Sequence, residues 1–210
     1  MVRRALEARG ARGTVVDLGC GSGRLGACLR DLASRYVGVD AVRYEGFPDA
    51  GEFLACDLDS GDLDSGAVPL PSGAADIAVA VETIEHLENP RALVRELTRL
   101  ARPGGWIVVT TPNQLSALSL ATLVIKHRFS AFQDVSYPAH RTALLEVDLR
   151  RIALECALAD ARCEFSLQGR IPLTPWRWPR WVSRAFPCAL SDNILLIARK
   201  PETSGGDRGR

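Results

Sequence analysis

Five short apolar segments are spaced along the first half of the chain, and a polar or amphipathic stretch follows each of them. They lie near residues 14–18, 36–40, 52–56, 75–81 and 105–111. Apolar runs of this length, bounded by Gly, Asp or Pro, predict buried β-strands. Two further strands are predicted near residues 162–168 and 193–199. Strands that alternate with helices are typical of a parallel sheet with helices on both faces, so we predict an α/β fold.

Two of the intervening stretches show apolar residues at helical spacing. The clearer one runs from about Pro90 to Ala101, and its apolar face consists of Leu93, Val94, Leu97 and Leu100. We expect this helix to end at Pro103 and Gly104, which are typical helix stops. A second helix is predicted from about Leu144 to Ala159.

The segment most informative about chemistry is VVDLGCGSG, at residues 15–23. A predicted strand ends there in Asp17, and three glycines follow at alternate positions (Gly19, Gly21 and Gly23). Glycines directly after a strand let the backbone turn sharply and approach a ligand. We therefore expect a nucleotide-like ligand at this turn, beside the Asp17 carboxylate, and a helix that begins near Arg24.

The identity of that ligand depends on the acid. Gly21, Gly23 and Gly26 also satisfy the GxGxxG spacing of a dinucleotide-binding turn. A carboxylate beside the turn repels a pyrophosphate, so Asp17 favours a ligand that carries positive charge. The string DLGCGSG resembles motif I of the class I S-adenosylmethionine-dependent methyltransferases, whose DxGxGxG loop holds the methionine part of that sulfonium cofactor.

Later segments extend the resemblance in order as far as about Asn113. Asp40 ends the second predicted strand, where an acid can accept both hydroxyls of a ribose. In the methyltransferase pattern Asp57 meets the adenine amine, and Leu58 offers its backbone amide. The strings ETIEHLENP and LARPGGWIVVTTPN resemble later motifs of the family.

The resemblance implies a Rossmann-like three-layer sandwich with strand order 3-2-1-4-5-7-6 and an antiparallel last strand. Beyond Asn113 a looser likeness remains, to methyltransferases often found in ubiquinone and polysaccharide biosynthesis. Within the glycine loop, Cys20 is expected to pack beneath the turn. The residues expected to bind the cofactor are Asp17, Gly19, Cys20, Gly21, Gly23, Asp40, Asp57, Leu58 and Glu82.

Two histidines are the candidate catalytic residues. Methyl transfer requires mainly that the two reactants be positioned, and a base can take the proton of an alcohol or phenol. His86 follows the fourth predicted strand, and His140 lies in the string YPAHRT. Neutral imidazoles accept protons near pH 7, so either can act as the base. The competing interpretation makes His86 a helix-start or packing residue and His140 an ordinary loop residue.

The same region contains a weak metal-binding pattern. Glu82, Glu85 and His86 spell ExxEH, which resembles the metal-binding string of the small-RNA 3′-terminal 2′-O-methyltransferases, with His140 available as a fourth ligand. Similar strings occur in metal-independent methyltransferases, so we expect no bound metal. RNA-binding proteins usually have an excess of basic residues, whereas this chain has a net charge of only +1. We therefore expect no nucleic-acid partner.

Composition indicates one globular domain over residues 1–200, because 210 residues are too few for two comfortable domains. Residues 201–210 are expected to form a disordered tail. The sequence shows neither a signal peptide nor an apolar stretch of membrane-spanning length, which predicts a cytoplasmic protein. The six cysteines form no CxxC pair, so neither a zinc site nor a disulfide framework is predicted.

Recognition of the methyl acceptor is expected from residues 112–143 and 169–190, because the segment before the first strand is short. The second of these contains Trp176, Trp178 and Trp181 among several arginines. A short helix is predicted from Pro179. Its aromatic side either packs on the sheet edge or forms an acceptor lid or a peripheral membrane anchor, suited to a lipid-linked or aromatic acceptor.

The resemblance implies an S-adenosylmethionine-dependent methyltransferase that acts on a small biosynthetic metabolite, by O-methylation of a glycan, a quinone or a secondary metabolite. Three alternatives stay open. They are a metal-dependent RNA 2′-O-methyltransferase, an NAD-dependent reductase and a cofactor-binding subunit without catalysis. Asp17 and the lack of an identifiable Tyr/Lys donor pair disfavour the reductase. Neither the acceptor nor the oligomeric state follows from the sequence.

Overall fold

Seven strands form one sheet in a computed structural model that describes residues 1–59, 63 and 67–202. The strand order is β3-β2-β1-β4-β5-β7-β6. All pairs are parallel except those of β7, which is antiparallel to both of its neighbours. The predicted fold class and strand order are confirmed. The strands are β1 (Gly13–Leu18), β2 (Ala33–Asp40), β3 (Glu52–Ala55), β4 (Ala75–Val81), β5 (Ala101–Pro112), β6 (Ala159–Phe165) and β7 (Asn193–Arg199).

Helices cover both faces of this sheet, and the sheet separates the core into two layers. Because successive side chains of a strand point to opposite faces, Val15 and Val16 belong to different layers. Val16 packs in the layer that contains Leu97 of α3 and Leu149 of α5, while Val15 packs in the layer of α1. The helices are α1 (Val2–Glu7), α2 (Arg24–Cys28), α3 (Pro90–Leu100), α4 (Ala117–Lys126), α5 (Glu146–Glu155) and α6 (Arg180–Ala185), with 3₁₀ turns at Ile84–His86 and Asp134–Ser136.

The helix predicted from about Pro90 to Ala101 is present as α3, and only the strand that follows it begins earlier than predicted. Asn89 caps the first turn of α3 by accepting a hydrogen bond from the Ala92 amide at 3.1 Å, and Pro90 begins the helix, as its fixed φ allows. At the other end α3 stops at Leu100, and β5 begins directly at Ala101. The Gly104 amide donates to the Lys200 carbonyl at 2.9 Å, so pairing with the chain that follows β7 takes up residues that a local pattern assigns to a loop.

The second predicted helix, from about Leu144 to Ala159, is shorter than expected. It covers only Glu146–Glu155, and β6 begins at Ala159, three residues before the predicted strand. Ala159 pairs with Arg199 of β7, with an irregular register between Ala159 and Arg162. Pairing with β7 therefore lengthens a strand whose own pattern is weak.

The tryptophan-rich segment does not pack its aromatic side on the sheet edge, which was one of the interpretations of its sequence. The predicted short helix is present as α6, one residue after Pro179. Its aromatic side does not pack on the sheet edge, because Trp176 is 71% and Trp181 is 76% exposed. Trp178 is half-buried.

The two segments expected to recognise the acceptor both leave the sheet. Residues 112–143 carry α4 and the 3₁₀ turn Asp134–Ser136, and residues 169–190 carry α6. No helix within the described ranges is both long enough and apolar enough to cross a bilayer. Most of the expected tail, residues 203–210, lies outside the described residues.

Candidate functional site

A cavity of about 440 Å³ opens at the carboxyl ends of β1, β2 and β4. In open α/β sheets this edge is the usual ligand site, next to the point where the strand order reverses. Here the order reverses between β1 and β4. Seven residues predicted to be functional line the cavity, and they are Gly19, Gly21, Asp40, Asp57, Leu58, Glu82 and His86. Thr83 and Ala139, which sequence reasoning did not single out, also line it.

The glycine loop takes the conformation that its sequence predicts. Gly19 has a φ of +76° and Gly21 a φ of +51°, values that favour glycine. A Cβ at Gly19 would lie 2.4 Å from the Thr83 side chain, whereas a Cβ at Gly21 would have no protein atom within 4 Å. Gly19 therefore allows the loop to pack against the β4 end, and Gly21 leaves its face open to the cavity. Gly23 has a packing role, because a Cβ there would lie 2.4 Å from Pro48.

Two predicted acids lie at the cavity edge and are held by backbone amides. Asp40 accepts hydrogen bonds from the Gly21 amide at 2.9 Å and from the Ala41 amide at 2.8 Å. The carboxylate at the end of β2 thereby joins the glycine loop. Asp57 accepts from the Asp59 amide at 3.0 Å. Both carboxylates are thus oriented before any ligand arrives.

Asp17 lies elsewhere than expected. Its carboxylate was expected beside the turn, facing the ligand, but it is only 2% exposed and is not part of the cavity lining. It accepts a hydrogen bond of 2.6 Å from the Tyr36 hydroxyl, and its other oxygen has no partner among the described residues. Burial raises the pKa of Asp17 to about 7. The expected orientation is corrected: this acid lies below the loop, and its direct contact with the cofactor stays a prediction.

Cys20 is buried below the same loop. Its Sγ lies against Gly38, where an added Cβ would be 2.8 Å away. Burial raises the pKa of the thiol to about 12, so the group stays neutral. Its packing agrees with the expectation from the sequence.

Glu82 joins the ends of three strands. Its φ of +51° is unusual for a residue with a side chain. One carboxylate oxygen accepts from the Thr110 hydroxyl at 2.7 Å, and the other accepts from the Asn193 amide nitrogen at 2.6 Å. Burial raises its pKa despite these two bonds. Backbone strain of this kind is concentrated at functional sites, where surrounding contacts hold it.

A second cavity, of about 560 Å³, lies on the other side of Glu82. Its lining combines the first residues of the chain and α2 with Thr110, Ser166 and Asn193 at the sheet edge. Sequence reasoning missed these three polar residues. Their only signal was that each lies next to a strand end, and which strand ends are neighbours depends on the sheet order.

His86 and His140 lie together although 53 residues separate them in the chain. The amides of Arg141 and Thr142 donate to the Glu85 carbonyl at 2.8 and 3.0 Å, which fixes the segment around His140 onto the 3₁₀ turn Ile84–His86. His86 Nδ1 is 2.8 Å from the Ala139 carbonyl oxygen. The two imidazole centroids are consequently 4.7 Å apart.

Glu85 completes a cluster with these histidines. Each of Glu85, His86 and His140 offers one ligand atom, and these atoms lie within 4.8 Å of one another. Glu85 is 1% exposed, and its Oε2 and the Nδ1 of His140 are buried without a hydrogen-bond partner among the described residues. Burial, with a contribution from Glu82, raises the pKa of Glu85 to about 8. Glu82 itself, held by Thr110 and Asn193, is not part of this cluster.

His140 stays neutral over a wider pH range than an exposed histidine. Its burial and the nearby His86 lower its pKa below the usual 6.5. Phe132 packs edge-on against its ring at a centroid distance of 5.5 Å. His140 does not itself line the cavity but lies against His86, which does. A neutral imidazole can accept a proton or bind a metal ion.

Comparison with known proteins agrees with this geometry. The sequence profile of a family described as "Methyltransferase domain" matches residues 1–161. A probable S-adenosylmethionine-dependent methyltransferase of Mycolicibacterium smegmatis is 32% identical over 116 residues, which are 55% of this chain and 44% of that protein. A ubiquinone biosynthesis O-methyltransferase of Burkholderia thailandensis is 31% identical over 104 residues, which are 48% and 44% of the two chains. The chain thus spans less than half the length of these curated relatives.

Solved structures show the same fold. A SAM-dependent methyltransferase from Archaeoglobus fulgidus superposes with a TM-score of 0.63 at 20% identity, over 95% of this chain and 93% of the other. The likeness extends beyond the matched part of the sequence to β6 and β7.

The buried acid below the glycine loop predicts a pH dependence of stability. Because folding raises the pKa of Asp17 from 3.8 to about 7, the folded state binds more protons than the unfolded state between these values. The contribution of Asp17 to the free energy of unfolding is therefore fully present below about pH 4 and is lost as the pH rises through 7.

We expect Asp17→Asn, which keeps an acceptor for Tyr36, to gain stability relative to the wild type as the pH rises from 4 to 8. Urea unfolding at several pH values measures this difference. The exposed Asp49→Asn is the matched control, for which we expect no such trend. If the difference in the free energy of unfolding between Asp17→Asn and the wild type is constant with pH, the raised pKa of a buried Asp17 is contradicted.

Proposed function

This chain belongs to the methyltransferase-domain family, and we propose that it is an enzyme that uses S-adenosylmethionine to methylate an oxygen atom of a small biosynthetic metabolite. A glycan, a quinone or a secondary metabolite is the acceptor class. The observation that carries the proposal is the position of His86 in the cavity that the glycine loop, Asp40 and Asp57 also line, with the His140 ring centroid 4.7 Å from that of His86. The named activity of the Burkholderia thailandensis relative supports an oxygen acceptor.

The residues around the first cavity fit the cofactor. Asp40 would accept the ribose hydroxyls, Asp57 the adenine amine, and the Leu58 amide would meet the adenine ring. The open face of Gly21 leaves space for the methionine part. When bound, S-adenosylmethionine supplies an electrophilic methyl group on a positively charged sulfur.

The neighbouring imidazoles fit the role of base. An acceptor hydroxyl has to lose its proton as its oxygen attacks, and a positioned base that takes the proton contributes roughly 10²–10⁴-fold in rate. Burial lowers the pKa of His140 and so favours its neutral form. The hydrogen bond between His86 and the Ala139 carbonyl orients the His86 ring. The base has to reach the acceptor hydroxyl, so we assign the acceptor to the part of the first cavity that His86 and Ala139 line.

Asp40→Ala tests the cofactor assignment. Hydrogen bonds to a charged group contribute about 1.5–3 kcal/mol each, so loss of the ribose contact is expected to weaken binding of S-adenosylhomocysteine by at least about tenfold. Isothermal titration calorimetry measures the affinity, and circular dichroism checks the fold. Asp31→Ala, at an exposed acid outside the cavity, is the control. A folded Asp40→Ala protein with unchanged affinity would refute the ribose assignment.

His140→Asn tests the base. We expect kcat for methyl transfer to fall by about 100-fold or more, with the affinity for S-adenosylhomocysteine unchanged. Because the pKa of His140 lies below 6.5, wild-type activity should persist to lower pH than an ordinary histidine base allows. Transfer of labelled methyl groups to a panel of phenols, catechols and sugars, and to metabolite extracts, supplies the measurement.

His127→Asn is the matched control, because this third histidine lies exposed at the end of α4. We expect it to act as wild type. Full activity in both His140→Asn and His86→Asn would rule out an imidazole base. Label found only on nitrogen or carbon atoms of the products would overturn O-methylation while leaving the methyltransferase assignment intact.

The cluster of Glu85, His86 and His140 favours a second candidate, in which a divalent cation assists the transfer. Two imidazoles and one carboxylate form a ligand set that leaves further positions open for a substrate. The unpaired buried atoms of Glu85 and His140 fit this role, because buried polar groups otherwise have hydrogen-bond partners. A cation there would polarise the acceptor hydroxyl and lower its pKa. Glu82 would not be a ligand, so the set has three members and not the four that the sequence pattern suggests.

Metal titration distinguishes this candidate from the metal-free one. After dialysis against a chelator, we expect the wild type to bind Mn²⁺ or Zn²⁺ in calorimetry, and Glu85→Gln and His140→Asn to bind at least about tenfold more weakly. His127→Asn serves again as the control. Wild-type protein that binds neither ion, or that keeps full activity after chelation, excludes the metal-assisted mechanism.

A further inference from the structure

Helix α4 is a strongly apolar helix at the surface of the molecule. Its sequence, ALSLATLVIK, has apolar residues on every side, yet Ser119 is its only buried residue. Leu120, Val124 and Ile125 are exposed, Val124 to 77%. A helix of this composition normally has its apolar residues in a core or against a partner.

A second exposed apolar segment leads into chain that lies against the beginning of α4. Residues 170–186 expose four large apolar side chains, namely Leu173, Trp176, Trp181 and Phe186. The Ala117 amide at the start of α4 donates to the Ala189 carbonyl at 2.7 Å, and the Asn113 side chain donates to the Cys188 carbonyl at the same distance. These bonds hold the beginning of α4 against the chain that follows α6. We call α4 and residues 170–186 together the aromatic surface.

The charge of the aromatic surface has a single sign. Residues 113–133 and 169–191 contain no Asp or Glu, although the whole chain has 25 acids and a net charge of only +1. Lys126 lies at the end of α4, and Arg177, Arg180 and Arg184 lie on or next to α6. All four side chains are exposed, and within the described part of the chain Arg180 and Arg184 have no ion pair.

We propose that the aromatic surface binds the interface of an anionic lipid bilayer. Trp side chains favour the boundary between headgroups and acyl chains, since they have an apolar body and a polar N–H group. Arginine and lysine extend their charged ends to anionic headgroups while their apolar stems cover the chain region. Apolar residues surrounded by cations, without acids, fit this partner in both respects.

Charge also argues against a second copy of the chain as the occupant. In a symmetric dimer the same patch lies on both subunits, so its cations would face the same cations with no acid within either segment to pair with them. A bilayer that contains anionic lipids supplies the opposite charge. The surface does not require a spanning helix, because an interfacial segment lies in the headgroup plane.

The aromatic surface connects directly to the proposed active site. The chain that leaves α4 at Lys126 continues to His140, which hydrogen bonds from Arg141 and Thr142 hold against the 3₁₀ turn of His86. A bilayer bound at α4 would therefore lie near the segment that carries the proposed base. A membrane position close to the proposed base favours a lipid-linked acceptor, and that part of the inference rests on the proposed function. Membrane binding itself does not.

Vesicle sedimentation of the full chain tests the proposal without cofactor or acceptor. We expect binding to vesicles of phosphatidylcholine with roughly one third phosphatidylglycerol, and much weaker binding to phosphatidylcholine alone. The double variant Arg180→Glu/Arg184→Glu should lose at least about thirtyfold in partitioning, and Trp176→Ala/Trp181→Ala at least about tenfold. Arg30→Glu/Arg151→Glu, at exposed arginines outside the surface, matches the first variant in charge and should bind as wild type.

Each outcome has a defined meaning. Wild-type protein that binds neither vesicle, or binds both equally, overturns the proposal. If Trp176→Ala/Trp181→Ala abolishes a concentration-dependent dimer in analytical ultracentrifugation and leaves vesicle binding unchanged, the surface joins two copies and the proposal is wrong. All variants should keep wild-type affinity for S-adenosylhomocysteine. Because sedimentation does not depend on methyl transfer, failure of the membrane proposal and failure of the proposed O-methylation are separate results.

Discussion

Parallel pairing of β1 with β2 and β4 is the constraint on which the whole site depends. Asp17 pairs with Gly38 of β2 on one side and with Val79 of β4 on the other. Because the three strands run in the same direction and in this register, the chain leaves all of them at one edge of the sheet. Gly19, Asp40 and Glu82 are thereby brought to one cavity from three distant parts of the sequence. Parallel strands need crossover connections, and α2 lies in the one between β1 and β2, while α3 lies in the one between β4 and β5.

Buried acids determine the electrostatics around this edge. Asp17, Glu82 and Glu85 each have a raised pKa, and in all three burial is the largest cause. Tyr36 stabilises the first, and Thr110 with Asn193 stabilises the second. Glu85 retains an unpaired oxygen beside two imidazoles. A buried polar atom without a partner is costly, and a ligand bound at this cluster would satisfy the Glu85 oxygen.

The segment between β5 and α5 connects two activities that we propose for the chain. Its first part, α4, contributes apolar residues to the aromatic surface, and its last part fixes His140 beside His86. Arg141 reinforces this attachment through ion pairs with Asp59 and Glu88. The proposed base and the proposed membrane contact thus lie on one continuous piece of chain. Membrane binding at α4 would therefore restrain the segment that holds His140.

Periodicity and local chemistry were sufficient for much of this description. Apolar runs located all seven strands, and the glycine pattern located the loop with its positive φ values. The strand order came from the family resemblance, since periodicity carries no information about which strands are neighbours. Local signals placed the starts of β5 and β6 too late, because pairing with neighbouring strands took up residues that otherwise indicate a stop or a turn.

The sequence by itself determined the element types, the glycine loop and the acids at the strand ends, because these depend on spacing and on local backbone preferences. Only the tertiary structure decided that Asp17 turns away from the cavity, that His140 reaches His86, that Glu82 bonds to Asn193, and that two tryptophans stay exposed. The physical reason is common to all four. Each depends on which distant side chains fill the space next to a residue, and a linear pattern does not contain that information.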